Sequence, residues 1–175
     1  MLKLYLDDQD ETARLGALLA RLLRPGDVIL FMGDLGAGKT FLIREIAKNM
    51  GVDTRLVTSP TFSILHTYEC LHMTIVHADL YRLGPEADIG ETGLVDHILE
   101  EKGCGLIEWG DFLSEKDRKG LHLLEIRLHF TQENSDDHAK RIVEISAKDS
   151  TWEKRLAHIK KMVEEEGITY EGIDS

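Results

Sequence analysis

The spacing of apolar residues along the chain predicts alternating strands and helices. The segment KLYLD, residues 3–7, is typical of a short strand, and leucines then recur at helical spacing with one buried face, at Leu15, Leu18, Leu19, Leu22 and Leu23. Pro25 and Gly26 end this helix. The following segment DVILFM, residues 27–32, is an almost unbroken apolar run, which indicates a strand covered on both faces.

The same patterns predict the later elements. We expect a helix that ends near Gly51, strands in TFSILHTYE and MTIVHADL, a helix over about 85–101, a buried strand in CGLIEW, and an antiparallel pair in LHLLEIRLHF and KRIVEISA. A final helix, with a capping box from Ser150 to Glu153, places Trp152 and Ile159 on one apolar face.

These elements predict an α/β fold of the P-loop NTPase type. Its sheet is expected to be mainly parallel and flanked by helices, with an antiparallel edge and an additional C-terminal helix. A length of 175 residues predicts one domain. We assign residues 1–148 to this domain and residues 149–175 to a helical extension packed on or next to it.

A glycine-rich loop follows the apolar strand. GDLGAGKT, residues 33–40, has the spacing G-x-x-x-x-G-K-T, in which successive backbone N–H groups hold phosphate oxygens. A turn with an incidental lysine is the structural alternative, but a strand before the loop and a helix after it favour nucleotide binding. The predicted nucleotide-binding residues are Gly33, Gly36, Ala37, Gly38, Lys39, Thr40 and Phe41.

Two acidic residues are candidates to complete a magnesium site with the Thr40 hydroxyl. Asp79 and Glu108 each follow an apolar run, so both are expected at the carboxyl edge of the sheet, where open α/β folds bind ligands. Mg²⁺ prefers such oxygen ligands. Each carboxylate could equally be an ordinary turn residue.

Composition limits the classes of partner and location. The net charge is −11, so the chain repels phosphate backbones and is a poor candidate for binding RNA alone, although a basic protein surface remains open to it. The chain has no apolar run long enough to span a membrane and no signal-peptide pattern, which predicts a cytoplasmic protein without membrane contact. Cys70 and Cys104 are expected to be reduced thiols.

Four segments in order, GDLGAGKT, SPTFSILHTYE, HADLYRL and IEWGD, closely resemble the TsaE family, formerly YjeE. The resemblance runs from about Leu2 to about Ala147, and SPTF and H-x-DLYRL are its most specific parts. It implies a bacterial phosphate-loop ATPase required for making threonylcarbamoyladenosine in tRNA. The tail from Asp149 is longer than the family norm, and Asp111 stands where a glutamate is common.

The resemblance also implies roles for individual residues. Lys39 would hold the β- and γ-phosphates of ATP, while Thr40 and Glu108 would ligate Mg²⁺. Asp79 would lie near the metal and orient water. Thr61 would complete a catalytic set with Lys39 and Asp79.

A switch and its partners are implied as well. Ser59, Pro60 and Thr61 would form a loop that senses the γ-phosphate, and Trp109 would lie beside the nucleotide pocket. The family acts on the TsaB–TsaD pair, so tRNA would be contacted only indirectly through that complex. His77, Tyr81 and Arg82 belong to the same motif without an assigned role. The sequence does not identify the residues that contact adenine; residues 9–12, near the start of the first helix, are one candidate segment.

Three other interpretations remain open from the residues. A small-molecule phosphotransferase is the main alternative, although such enzymes use an arginine-rich lid and the arginines after Arg82 are scattered. A GTP switch is disfavoured because the sequence has no N-K-x-D motif; SAKD, residues 146–149, is interpreted as the end of a strand. The third is a binding module in which ATP is only structural.

Overall fold

The computed structural model describes residues 1–60, 63–70, 72–85, 92–100, 102–130 and 140–172. In these ranges the strands form a single sheet. The strands are β1 Leu2–Leu6, β2 Asp27–Met32, β3 Leu65–Glu69, β4 Thr74–Asp79, β5 Gly103–Glu108, β6 His122–Phe130, β7 Arg141–Ala147 and β8 Thr169–Gly172. The helices are α1 Gln9–Leu22, α2 Lys39–Asn49, α3 Leu94–Glu100, α4 Glu115–Arg118 and α5 Ser150–Glu165.

The sheet has a parallel centre and antiparallel strands on both sides. Its order is β3-β4-β5-β2-β6-β7-β1-β8. Strands β4, β5, β2 and β6 are parallel neighbours, whereas β3, β7, β1 and β8 join by antiparallel pairing. The predicted α/β architecture is confirmed, and β2, which precedes the glycine-rich loop, lies in the parallel centre.

The core lies on both faces of the sheet, as the apolar run in β2 predicts. Ile29 and Phe31 of β2 face the larger cluster, to which α1, α2 and α5 contribute side chains. Val28 and Leu30 face the smaller cluster, which contains residues of α3. All six residues of β2 are buried. The strand β2 therefore has no face exposed to solvent, and its packing on both sides fixes the point at which the glycine-rich loop begins.

Two helix starts differ from the sequence-based expectation. The helix α5 is capped by Asp149, whose carboxylate accepts from the backbone N–H groups of Thr151 and Trp152, so the capping box from Ser150 to Glu153 is wrong. Aspartate and serine are comparable helix caps, and the Asp149 carboxylate, which also accepts from the backbone N–H of Leu123, caps the helix one position before Ser150. The helix α3 begins at Leu94, later than the expected start at 85; residues 86–91 are outside the described ranges.

The C-terminal segment joins the sheet as well as the core. Trp152, Ile159 and Val163 of α5 are fully buried in the larger cluster. After α5 the chain continues into β8, which pairs with β1 and was not anticipated from the sequence. Among the described helices, none has the length and apolar character that a membrane span requires.

Candidate functional site

The loop between β2 and α2 follows a path that only glycine permits. At Gly33 the backbone φ is +119°, and a Cβ added there would lie 2.2 Å from the carbonyl oxygen of Leu128 in β6. At the other end, Gly38 precedes α2 with a φ of +103°. The first turn of α2 therefore directs N–H groups that lack partners within the helix toward the loop, an arrangement that suits an anion.

Lys39 is folded back onto this loop. Its ammonium donates to the carbonyl oxygens of Gly33 at 2.6 Å and Asp34 at 2.8 Å, and it lies 4.2 Å from the centre of the Trp109 ring. Burial lowers the pKa of Lys39, while the negative charges of Glu108 and other nearby acids oppose that shift. The loop thus holds a poorly solvated cation, which an anionic ligand would stabilise.

Asp79 and Glu108 lie opposite each other at the carboxyl ends of β4 and β5. Both are buried, with 3% of each residue exposed. The Thr40 hydroxyl, at the start of α2, is 2.9 Å from each carboxylate oxygen of Glu108. The parallel pairing of two distant segments therefore brings both predicted acids to the glycine-rich loop.

Asp79 also holds Ser59, the first residue of the predicted switch. Its carboxylate accepts from the Ser59 hydroxyl at 2.5 Å and from the backbone N–H of Tyr81 at 3.0 Å. Ser59 is thereby connected to the acid at the end of β4. Thr61, the remaining member of the predicted catalytic set, lies outside the described residues.

The ring of His77 contacts the Glu108 carboxylate, and the sequence analysis gave His77 no role. The His77 Nε2 is 3.0 Å from Glu108 Oε1, and the Tyr68 hydroxyl lies 3.5 Å from the other ring nitrogen. Because a carboxylate only accepts, Nε2 is the protonated nitrogen of this contact. Alternate residues of a strand lie on one face, so His77 and Asp79 share a face of β4. This spacing is the sequence signal that could have placed His77 beside the predicted acids.

A cavity of about 400 Å³ opens above these groups. Its lining residues are Leu35, Gly36, Gly38, Lys39, Thr40, Phe41, Ser59, Asp79, Tyr81, Glu108 and Trp109. Most of the predicted nucleotide-binding residues line it, whereas Gly33 and Ala37 do not, and Ala37 is buried. Arg82 is exposed in the turn after β4 and is not among the lining residues.

An aromatic group forms one wall of the cavity. The Trp109 ring lies 4.9 Å from Tyr81 and 5.7 Å from Phe112, measured between ring centres. The backbone of Trp109 is in the left-handed region with a φ of +60°, which turns the chain sharply after Glu108. This turn sets the indole beside the Lys39 ammonium, so Trp109 lines the cavity while it also packs against the smaller core cluster.

The donor groups in the cavity fit a magnesium ion shared with a bound phosphate. Thr40, Glu108 and Asp79 offer a hydroxyl and carboxylate oxygens, the hard ligands that Mg²⁺ prefers. Within the described ranges, no three His, Cys, Asp or Glu side chains form a cluster suited to a metal ion. Mg²⁺ is commonly held by one or two carboxylates together with substrate phosphates and water, so this donor set fits a metal that arrives with a nucleotide.

Comparison with known proteins identifies the family of this chain. The family model described as "Threonylcarbamoyl adenosine biosynthesis protein TsaE" matches residues 6–143. The chain belongs to the TsaE family. All of the cavity-lining residues fall within the matched range.

Named TsaE relatives share the same region of sequence. Proteins called tRNA threonylcarbamoyladenosine biosynthesis protein TsaE from Rickettsia felis and from a Nostoc species are 40% and 43% identical to this chain. The matches cover 75% and 71% of this chain, and 74% and 77% of the relatives. The crystal structure of Bacillus subtilis YdiB shares the fold, with a TM-score of 0.66 at 24% identity, over 92% of this chain and 95% of that one.

The TsaE match ends before the C-terminal elements. Residues 144–175, which include α5 and β8, lie beyond the matched range. The strand β8 pairs with β1, and α5 packs against β6, β7 and β8, whereas the acids of the cavity lie on β4 and β5. The shared TsaE region therefore contains the cavity, and the additional helix completes the core.

Proposed function

We propose that this TsaE protein binds Mg²⁺-ATP in the cavity and hydrolyses it in support of tRNA threonylcarbamoyladenosine biosynthesis. The observation that carries the proposal is the contact of the Thr40 hydroxyl with Glu108, beside the buried Lys39 ammonium. A cation, a hydroxyl and a carboxylate around one glycine-rich loop match the chemistry of a metal-bound triphosphate.

Each residue has a defined task in this proposal. When the nucleotide binds, the Lys39 ammonium leaves the carbonyl oxygens of the loop and donates to the β- and γ-phosphates instead. The N–H groups at the start of α2 bind the phosphate oxygens. Thr40 and Glu108 hold the metal, which supplies neutralisation of charge on the transferring phosphoryl group. Asp79 accepts a proton or a hydrogen bond from the attacking water and so orients it toward the γ-phosphate.

Hydrolysis would act as a switch on the TsaB–TsaD pair. Ser59 donates to Asp79, so a ligand that engages Asp79 changes the contact that holds the following Pro60 segment. A nucleotide can shift such a segment between two states only if its contacts differ between them. The hydrogen bond from Ser59 to Asp79 is a contact that can differ between the nucleotide-free and the nucleotide-bound state. We expect slow hydrolysis by the isolated chain and faster hydrolysis with the partners, because the complex would complete the positioning of water.

The net charge supports an indirect relation to tRNA. At −11, the chain would be repelled by the nucleic-acid backbone and attracted to a basic partner surface. We therefore assign tRNA binding to the partners in the complex. Tight binding of tRNA by the isolated chain in a gel-shift assay would contradict this assignment.

The decisive experiment measures ATP binding and turnover in matched lysine variants. Lys39→Ala should weaken Mg²⁺-ATP binding at least about tenfold, since a charged hydrogen-bond donor to the phosphates is lost. Lys48→Ala is the control, because Lys48 lies on the same helix but is exposed and paired with Glu45. Equal affinity of wild type and Lys39→Ala would overturn the proposal.

Turnover then separates the switch from its alternatives. Phosphate release is measured with the chain alone, with TsaB–TsaD, and with sugars or nucleosides as acceptors. Stimulation by TsaB–TsaD supports the switch. Stimulation by a small acceptor, with transfer of the phosphoryl group to it, would instead identify a phosphotransferase.

A further inference from the structure

A line of hydrogen-bonding side chains leads from Glu108 across β4 and β3 to the surface. Beyond the contact of Glu108 with His77, the Tyr68 hydroxyl lies 3.5 Å from His77 Nδ1. The same hydroxyl lies 3.4 Å from Nδ1 of His66, which is paired directly with His77 across the two strands. The line ends at the Ser63 hydroxyl, 2.8 Å from His66 Nε2. It therefore connects the cavity to the segment that follows the proposed switch, residues 59–61.

The chemistry of these groups gives the line a single direction. The Glu108 carboxylate only accepts, so a neutral His77 ring donates from Nε2 and accepts at Nδ1. The donor to that Nδ1 is the Tyr68 hydroxyl, whose oxygen then accepts from Nδ1 of His66. The other nitrogen of His66 accepts from the Ser63 hydroxyl. Every donor thus points toward Glu108, and each of the two histidines is required in one tautomer.

Tyr68 is the central member of the line and is buried, with 7% of the residue exposed. Burial raises the pKa of its hydroxyl, which therefore keeps the proton that it donates. A hydrogen bond from the backbone of Thr58 opposes this rise in pKa, so the same oxygen also contacts the residue directly before Ser59. The Tyr68 hydroxyl is thereby connected to both sides of the proposed switch, to Thr58 before it and through His66 to Ser63 after it.

The backbone after the switch is strained. Ile64 has a φ of +69°, a conformation that β-branched residues rarely adopt. Its N–H donates to the carbonyl oxygen of Pro60 at 2.6 Å, and its carbonyl oxygen accepts from the backbone N–H of Asp79 at 3.0 Å. Strain of this kind persists only while the surrounding contacts impose it. A change in those contacts therefore lets the segment relax.

We propose that Tyr68 is a positioning residue that couples the proposed switch to the metal-binding carboxylate, with its hydroxyl holding the His77 ring against Glu108. This inference depends on the proposed binding of Mg²⁺-ATP. A metal at Glu108 changes the acceptor at one end of the line, and the hydrogen bonds of a polarised line strengthen or weaken together. The Tyr68 hydroxyl transmits that change to the backbone of Thr58 and to His66.

Nitrogen-15 spectra of the histidine rings test the line in the protein without nucleotide. At about pH 8 an ordinary histidine is neutral, and its two tautomers give different spectra. The expected proton positions are Nε2 in His77 and Nδ1 in His66, with His77→Gln and His66→Gln used to assign the signals. In Tyr68→Phe, which removes only the hydroxyl, His66 should lose its preference for Nδ1. A proton on Nε2 of His66 in wild type, or the same His66 tautomer in wild type and Tyr68→Phe, would overturn the proposal.

The Mg²⁺ requirement of ATP turnover distinguishes positioning from a structural role. Tyr68→Phe should raise the Mg²⁺ concentration needed for half-maximal turnover about threefold, less than His77→Ala, because the hydroxyl acts through the His77 ring. Adding Tyr68→Phe to His77→Ala should cause no further loss, since the line is already broken. Effects of the two changes that multiply would show that they act independently and would contradict the coupling.

Tyr5→Phe is the matched control. It also removes a tyrosine hydroxyl that is hydrogen-bonded to a side chain, Glu171, but Tyr5 lies on β1, away from β4 and β5, so the Mg²⁺ requirement should not change. A lower unfolding temperature of Tyr68→Phe with an unchanged Mg²⁺ requirement would make the Tyr68 hydroxyl purely structural and overturn the proposal. If Tyr68→Phe does not fold, the wild-type tautomers decide. Absence of ATP turnover in wild type would overturn the proposed function, whereas the tautomers test the line without nucleotide.

Discussion

Thr40 and Glu108 are 68 positions apart in the sequence, yet the Thr40 hydroxyl is within 2.9 Å of both carboxylate oxygens of Glu108. The contact joins the first turn of α2 to the carboxyl end of β5. It holds a hydroxyl and a buried carboxylate at the edge of the sheet where ligands bind in open α/β folds.

Glu108→Gln should reduce Mg²⁺-dependent ATP turnover about 100-fold. A neutral amide binds Mg²⁺ more weakly than a carboxylate, so less charge on the transferring phosphoryl group is neutralised. ATP binding measured without Mg²⁺ should change little, since the loop and Lys39 are intact. Glu125→Gln is the control: Glu125 is partly buried and ion-paired, with Arg118, but does not line the cavity. Equal turnover in Glu108→Gln and Glu125→Gln would remove Glu108 from the metal site.

ATP affinity should decrease at alkaline pH, beginning below the ordinary lysine pKa of 10.5. Burial lowers the pKa of Lys39, so the free protein loses the ammonium earlier than an exposed lysine would. Phosphate binds the charged form, and therefore affinity falls as the pH rises through this lowered pKa. Fluorescence titration from about pH 7 to about pH 10 measures the effect.

Lys39→Arg provides the comparison for this pH profile. An arginine side chain stays protonated over the whole range, so the affinity of the variant should be independent of pH whatever its absolute value. A parallel decline in wild type and Lys39→Arg would assign the pH dependence to another group.

His77→Ala should reduce turnover about tenfold and raise the Mg²⁺ concentration needed for half-maximal activity, because residues that orient a metal ligand typically contribute this much. The His77 ring holds Glu108 in place through a 3.0 Å contact and is fully buried. His77→Gln, which retains a donor, should recover part of the Mg²⁺ dependence. A loss of stability without a change in the Mg²⁺ requirement would show that His77 is only structural.

Arg155→Ala should destabilise the fold by about 3–5 kcal/mol, since it leaves the buried Asp27 carboxylate without its cation. The guanidinium of Arg155 contacts both oxygens of Asp27 and lies 3.7 Å from the Trp152 ring centre. Urea unfolding measures the change. Lys161→Ala removes the exposed ion pair of Lys161 with Glu165 on the same helix. This change should lower the free energy of unfolding by no more than about 0.5 kcal/mol. Similar values for the two variants would contradict this account.

Local features of the fold were predictable because short-range chemistry produces them. The apolar run of β2 requires cover on both faces, and the loop from Gly33 to Thr40 needs glycine at its strained positions. The helical spacing that predicted α5 correctly identified its buried face. The start of that helix was missed because Ser150 and Asp149 are both competent caps, and the Asp149 carboxylate is additionally held by the backbone N–H of Leu123.

The sequence by itself determined the phosphate-type loop, the strands that lead to it and the TsaE motifs, since each is encoded within a few consecutive residues. Tertiary structure alone decided that β5 pairs with β2, that Asp79 stands opposite Glu108, and that His77 contacts the latter. It also decided that β8 extends the sheet beside β1. Strand order and register depend on which distant segments bury the most apolar surface together, and a local pattern does not carry that information.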